Sequence, residues 1–551
     1  MIKISGGTIY DPINGIDGEI GEVWINDGRI VAAPAIPPEN LQTIDARGLV
    51  VMPGGVDIHS HISGSKANAG RKLCPEDGKR LVRPKTSITR SGTGLPVPST
   101  HLTGYLYAEM GYTTVMEAAA APLMARHTHE ELEDTPVIDR AVFVTMGNNH
   151  FIMQCIKDGQ PEKARDYVAW LLEACKGYAI KIVNPGGVEN WKYGKNVNSL
   201  DDAVIGFGVT PRQIIKTLAG ISEDLGLPHP IHLHGVNLGL PGNATVTAET
   251  MTMLEGREAH FCHVQFMGYE GEPGGLPRSG AQLISRTVNN NPNITVDVGQ
   301  IAFGPATTMT SDGPVQFSLS RKVNAKWIND DLESESGGGV VPLAYKRNNP
   351  VHGTMWINGM ETFLLVDDPW RITLTTDHPN GGPFLNYPLV IRQLMDRDFR
   401  MRQFESLHKL ARKKSILPEL QREYSLYEIA IITRAGPARR LGLSQKGHLG
   451  LGADADVTIY RPQDDKEKMF ARPEWVFKGG EAVVERGEIV HASQGRTMYV
   501  SPEYDDAICK HIRRHFKERY TVAYENFAIE PEHIGPNLKI ACGKAQAGSN
   551  A

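Results

Sequence analysis

The chain has 551 residues, which at about 100–200 residues per domain allows two to four domains or one large catalytic domain with attachments. Its 40% hydrophobic and 22% charged residues are ordinary globular composition, and 58 Lys+Arg against 63 Asp+Glu give a net charge of −5, which excludes wholesale nucleic-acid binding driven by net charge. No run approaches the ~18 apolar residues of a membrane span and Met1–Gly7 lacks a secretory apolar core, so a cytoplasmic protein with no membrane partner is expected.

Residues 1–50 alternate and turn often. Met1–Ile4, Glu22–Ile25 and Arg29–Ala32 read as short strands, with Asn26-Asp27-Gly28 as the turn between the last two, the first part of a small β-unit. From Val51 the texture changes to apolar runs separated by helical stretches. Eight such runs are Val51–His59, Thr113–Glu117, Ala141–Met146, Tyr178–Val183, Pro230–His234, His260–Val264, Ile294–Val298 and Ile372–Asp377. Eight strands alternating with helices predict a (β/α)₈ barrel over residues 51–432, with its chemistry at the carboxyl ends of the strands. Helices are predicted at Pro161–Lys176 and at Pro211–Leu225, the latter with Thr210 as N-cap and Pro211 as first helical residue.

Strand-like sequence returns over 433–500, at Val457–Tyr460 and Trp475–Lys478, and is expected to complete the β-unit begun by the N-terminus in a sandwich-like arrangement. Residues 501–551 form an extension with a basic helical run, His511–Arg519, and a Gly/Ala-rich tail expected to wrap a neighbour or fray. Two long interruptions, 65–100 and 304–353, read as functional or disordered loops, the second holding the run Gly337-Gly338-Gly339. Between Lys66 and Arg90 the first carries eight basic residues against Glu76 and Asp77, either a landing surface for a polyanion or a solvated loop. The six cysteines stand at least 20 residues apart, so none forms a C-x-x-C pair for an iron–sulfur cluster or redox disulfide, and any electron transfer would belong to another subunit.

The sharpest motif is His59-Ser60-His61. Side chains alternate along a strand, so both imidazoles face one side and can clasp one metal, although a lone H-x-H is more often two unrelated histidines. The further positions change that weighting: His232-Leu233-His234 ends the fifth run, His263 lies in the sixth and Asp377 closes the eighth. In the fourth, Lys181 sits in an apolar strand, where an ammonium costs several kcal/mol unless its charge is lost or paired. A neutral amine there can add carbon dioxide, and the resulting carbamate can bridge two metals.

This constellation resembles the amidohydrolase superfamily. The resemblance covers roughly residues 1–500, includes Val51-Met52-Pro53-Gly54-Gly55-Val56-Asp57 ahead of the histidines, and implies two divalent metal ions, with zinc favoured. The implied ligands are His59, His61, a carboxylated Lys181, His234, His263 and Asp377, with Asp377 also the catalytic proton carrier; His234 is chosen over His232 by comparison alone. The segments 61–68, 237–243 and 377–384 look more narrowly like the hydrolytic A subunits of formylmethanofuran dehydrogenases and of bacterial formyltransferase/hydrolase complexes. That narrower resemblance implies interconversion of N-formylmethanofuran with formate and methanofuran in one-carbon metabolism, within a multisubunit complex, the bacterial setting being favoured from the wording of 60–64. It also suggests Asn184, Asn237 and His378 for the formyl group or leaving amine, and Lys66 and Arg71 for an acidic carrier tail, each with a loop-capping or structural role as its alternative. Other readings are a hydantoinase-like cyclic-amide hydrolase and a non-catalytic scaffold within such a complex.

Overall fold

The computed structural model describes residues 1–329 and 338–543. Eight parallel strands, Gly55–Ser60, Tyr112–Ala120, Asp139–Thr145, Ala179–Val183, Ile231–His234, Ala259–Phe261, Ile294–Asp297 and Ile372–Thr373, pair in chain order. The eighth returns to the first where the His61 N–H donates to the His378 carbonyl at 2.7 Å, beside a bridge between Ser60 and His378. The ring is therefore the expected (β/α)₈ barrel. Its strands are buried nearly throughout, which is why they read as continuous apolar runs rather than alternating ones.

Helices Pro161–Ala174 and Pro211–Asp224 lie close to their predicted bounds. The second is started by a capping box: the Thr210 hydroxyl accepts from the Gln213 N–H while the Gln213 side chain accepts from the Thr210 N–H.

The run from Val51 to His59 is divided. Val50–Pro53 pairs antiparallel with Val457–Tyr460, and only Gly55–Ser60 enters the barrel. The crossing point needs glycine, because a Cβ on Gly54 would lie 2.3 Å from Thr113 Oγ1. Val50–Pro53 belongs to a nine-stranded sheet built from both ends of the chain, in which Ile4, Ile9, Val23, Ile25, Val457, Ile459 and Phe477 form a separate core. Sheet and barrel meet across buried charges: Asp139, Asp454 and Asp456 face Lys446, Lys478 and Arg496 at 2.6–3.2 Å.

Both interruptions carry regular structure in their described residues. Residues 64–100 contain the helix Gly64–Leu73, and 304–345 form an antiparallel pair, Gly304–Thr310 with Gly339–Tyr345, around the helix Gly313–Val323. Ala67 and Val97 from the first pack on Met309 and Val340 from the second, so the two insertions form one roof. Gly337 lies outside the described residues, as does the tail 544–551.

The extension is docked against the barrel up to residue 543. Thr497–Val500 pairs parallel to Asp139–Thr145 and Asn537–Ile540 pairs with it in turn. The helix Ile508–Arg519 sets Phe516 against Trp170, while Tyr524 and Phe527 stack on the same indole at 5.7 and 5.6 Å. No helix among the described residues is long and apolar enough to cross a membrane.

Candidate metal and active site

Four imidazoles, an amine and a carboxylate converge from the carboxyl ends of strands one, four, five, six and eight. His59 Nε2 lies 3.0 Å and His61 Nε2 3.4 Å from the same oxygen, Asp377 Oδ1. One ligand atom each from His59, His263 and Asp377 falls within 4.8 Å of the others, and the His263 ring meets His234 edge to face at 4.8 Å. Lys181 is buried, its Nζ 3.0 Å from Cys262 Sγ. His61, Lys181, His234, His263 and Asp377 all line one cavity of about 810 Å³, roofed by residues of 308–323 and 343–355.

The strand ends are bent to achieve this. Asn184, Asn237, His263 and Asp377 each take a left-handed backbone, with φ of 38°, 60°, 38° and 48°. Such conformations cost of order 1–3 kcal/mol each for side-chain-bearing residues and cluster where function fixes geometry. Gly299, at φ +65°, permits two of them to coexist: a Cβ there would lie 2.5 Å from His263 Cβ and 3.3 Å from Asp377 Cβ.

Each histidine is held by a second partner. Glu117, within the second strand, lies 3.2 Å from His61 Nδ1 and accepts from the Ile62 and Ser63 N–H groups at 2.8 and 3.0 Å. Burial alone would raise the Glu117 pKa, but these hydrogen bonds hold it below the usual range. His234 Nε2 lies 3.3 Å from Asp312 Oδ2, a fully buried carboxylate of the roof. Asp297, ending the seventh strand, lies 3.2 Å from both His59 Nδ1 and His260 Nε2 and accepts the His263 N–H at 2.7 Å. Burial opposes its charge, yet the imidazoles around it keep Asp297 well below the carboxylate range, and Asp377 is held low in the same way by His263 and His59. For His263, burial prevails and lowers the pKa well below the imidazole value.

The donor set suits a divalent cation. Among the described residues, buried His59 Nε2 makes no hydrogen bond although Asp377 Oδ1 stands 3.0 Å away, and His263 Nδ1 is equally without a partner. Nitrogen and oxygen donors at this density match zinc and related ions. His232 lies a layer below: its Nε2 contacts His59 Nδ1 at 2.9 Å, and it does not line the cavity, whereas His234 does.

Of the residues expected to contact substrate, Asn237 lines the cavity, and its Oδ1 is buried with no hydrogen-bond partner among the described residues. The others are engaged elsewhere. Lys66 is buried and donates to the Ala119 carbonyl and Ser311 Oγ at 3.0 and 3.1 Å. Arg71 pairs with Glu131 and donates to the Pro98 and Ile62 carbonyls, fastening the first insertion. Asn184 donates to Asp312 Oδ1 at 3.0 Å, and His378 is enclosed against Phe384, its pKa pushed down to about 3 by burial. None of these four lines the cavity, which residue type and spacing could not reveal. Reading the sequence missed Glu117, Asp297, Cys262 and Asp312. Glu117 ends an apolar run with an acid, the same signal that singled out Asp377, and Asp297 stands one residue before the end of another, while Asp312 reaches the site only through the roof.

The chain is similar to known proteins over most of its length. Residues 42–491 match the amidohydrolase family. The chain is 46% identical to Protein FwdA of Methanocaldococcus jannaschii over 96% of this chain and 97% of that one. It is 39% identical to the A subunit of the formyltransferase/hydrolase complex Fhc of Methylorubrum extorquens over 98% of this chain and 100% of that one. A chain of the crystal structure of the Methylorubrum extorquens formyltransferase/hydrolase complex (FhcABCD) with methylofuran superposes with a TM-score of 0.92 at 39% identity, covering 98% of this chain and 100% of that one.

Proposed function

The chain belongs to the amidohydrolase family, and from that premise we propose that it hydrolyses the N-formyl amide of a methanofuran-type amine to formate and free amine, or runs the reverse reaction. The full-length similarity to one component of the complex crystallised with methylofuran supports the substrate. The observation that carries the chemistry is the convergence of His61, Lys181, His234, His263 and Asp377 on one cavity, with His59 directly behind. The relatives include FwdA, 46% identical, and the bacterial Fhc chain, 39% identical, so the proposal is the hydrolytic step itself, carried out in the cytoplasm as part of a multisubunit complex.

Two divalent ions such as zinc, held by His59, His61, His234, His263, Asp377 and a carboxylated Lys181, would supply an acidified water and polarise the formyl oxygen. Asp377 takes the proton of the attacking water and returns it to the amine nitrogen as the C–N bond breaks, acting as base and then acid. A carboxylate held low in pKa is ionised at neutral pH and ready for the first transfer. Asn237 Oδ1 accepts from the amine N–H and orders the leaving group, and the roofed cavity limits the water that reaches the amide.

The test pairs metal content per chain with formate release from the N-formyl amine, for the parent and for Asp377→Asn. About two metals with formate release, and a ~10²–10⁴-fold slower variant, are expected for the loss of a general acid-base. Ring opening of dihydrouracil without formate release moves the substrate to a cyclic amide, and a folded chain that binds no metal makes it a scaffold.

A further inference from the structure

Beneath the site, three buried imidazoles form a line. His59 Nδ1 lies 2.9 Å from His232 Nε2, His232 Nδ1 lies 3.1 Å from His229 Nε2, and His229 Nδ1 lies 3.0 Å from the Arg440 carbonyl oxygen. All three rings have 0% relative exposure. The line runs from the carboxyl end of the first strand through the barrel interior to the loop before the fifth strand, and ends on the helix Gly436–Arg440.

The end of this line has a fixed polarity. A carbonyl oxygen only accepts, so His229 must carry its hydrogen on Nδ1. In a neutral ring Nε2 is then an acceptor, which requires the N–H of His232 to be on Nδ1; His232 Nε2 becomes an acceptor and receives the Nδ1–H of His59. We propose that the Arg440 carbonyl, His229 and His232 form a one-way hydrogen-bond relay that fixes His59 with its hydrogen on Nδ1, leaving Nε2 to face Asp377 and the cation. His232 and His229 are thus positioning residues for a ligand that neither replaces.

Asp297 Oδ2 also lies 3.2 Å from His59 Nδ1, but it is shared with His260 Nε2 at the same distance. The Thr295 hydroxyl lies 2.9 Å from His260 Nδ1, so His260 with its hydrogen on Nε2 donates to Asp297 and accepts from Thr295. The 2.9 Å acceptor on His232 is the shorter contact and gives His59 Nδ1 an undivided partner. The relay rests on the metal reading above for its purpose, though not for its polarity.

Two measurements test it. Zinc affinity by chelator competition is expected to fall ~10–100-fold in His232→Leu and in His229→Leu, the scale seen when a ligand's outer partner is removed. His232→Gln, whose carbonyl can accept the same N–H, is expected to recover most of that loss. Folded Leu variants with parental zinc affinity overturn the relay. On the parent chain labelled with ¹⁵N-histidine, imidazole shifts in the metal-free protein are expected to show Nδ1–H and bare Nε2 for both His229 and His232. A hydrogen on His229 Nε2 reverses the line and overturns the proposal, whether or not the variants fold. A parent that binds no zinc removes the proposed function instead, while the ¹⁵N pattern still decides the polarity.

Discussion

At the scale of single residues, the site depends both on the side chains that reach the cavity and on the space left between them. Lys181 lies among apolar strand neighbours with its Nζ at Cys262 Sγ, and it is the only lysine expected to reach the metals. Lys181→Ala should therefore lower bound metal and abolish turnover while the far-ultraviolet circular dichroism stays parental; full metal and full rate would remove Lys181 from the ligand set. Gly299 is the complementary case, since its importance is the space it leaves. Gly299→Ala should destabilise the fold by about 1–3 kcal/mol through its left-handed backbone. It should also reduce metal binding by pushing His263 and Asp377 apart, because the added methyl lands 2.5 Å from His263 Cβ. A shift in the unfolding midpoint with no change in metal content would limit the role of Gly299 to backbone conformation.

At the scale of elements, two features came from contacts far apart in the sequence. The insertions at 64–100 and 304–345 form one roof because Ala67 and Val97 share an apolar cluster with Met309 and Val340, and that roof brings Asp312 to His234. The C-terminal helix Ile508–Arg519 closes over Trp170 with Phe516, Tyr524 and Phe527. Phe516 is 3% exposed, so Phe516→Ala removes a buried ring that does not line the catalytic cavity. The expected cost is about 3–5 kcal/mol of stability, read as a lower urea midpoint, with metal content unchanged. A midpoint near the parental value would mean that the helix is dispensable to the fold. His511–Arg519 was legible as a helix from its own spacing, but its docking was not, since the indole that receives it lies more than three hundred residues earlier.

At the scale of the whole molecule, barrel and nine-stranded sheet are joined by ion pairs removed from water. Burial would raise the Asp456 pKa, but Lys446 and Lys478 outweigh it and hold the group at about 2, and Lys446, Lys478 and Arg496 likewise hold Asp139 well below the usual carboxylate range against its burial. An Asp in the unfolded chain titrates near 3.9, so unfolded chains take up protons first as the pH falls. The stability these groups contribute is full above about pH 4 and is lost as pH falls toward 2. Urea midpoints measured between pH 7 and pH 2.5 should decline in that window; a flat profile would mean the junction does not titrate with folding. Asp456→Asn leaves two buried ammonium groups short of a partner and should cost about 3–5 kcal/mol at neutral pH.

The sequence by itself determined the barrel and the family. Eight apolar runs at βα spacing can bury both faces only as parallel strands covered by helices, and H-x-H, a strand lysine, two further histidines and an aspartate at run ends leave few other chemistries. It also marked the polar strand ends where ligands collect, because the strand period fixes which side chains share a face. Only the tertiary structure decided which polar residues face the cavity. Lys66, Arg71, Asn184 and His378 were eligible by type and position, yet each meets a buried carbonyl, carboxylate or ring instead. Glu117, Asp297 and Asp312 act through imidazoles 56, 238 and 78 positions away in the chain. A buried polar atom must find a partner wherever folding places one, and partners at such separations leave no local period for a sequence to display.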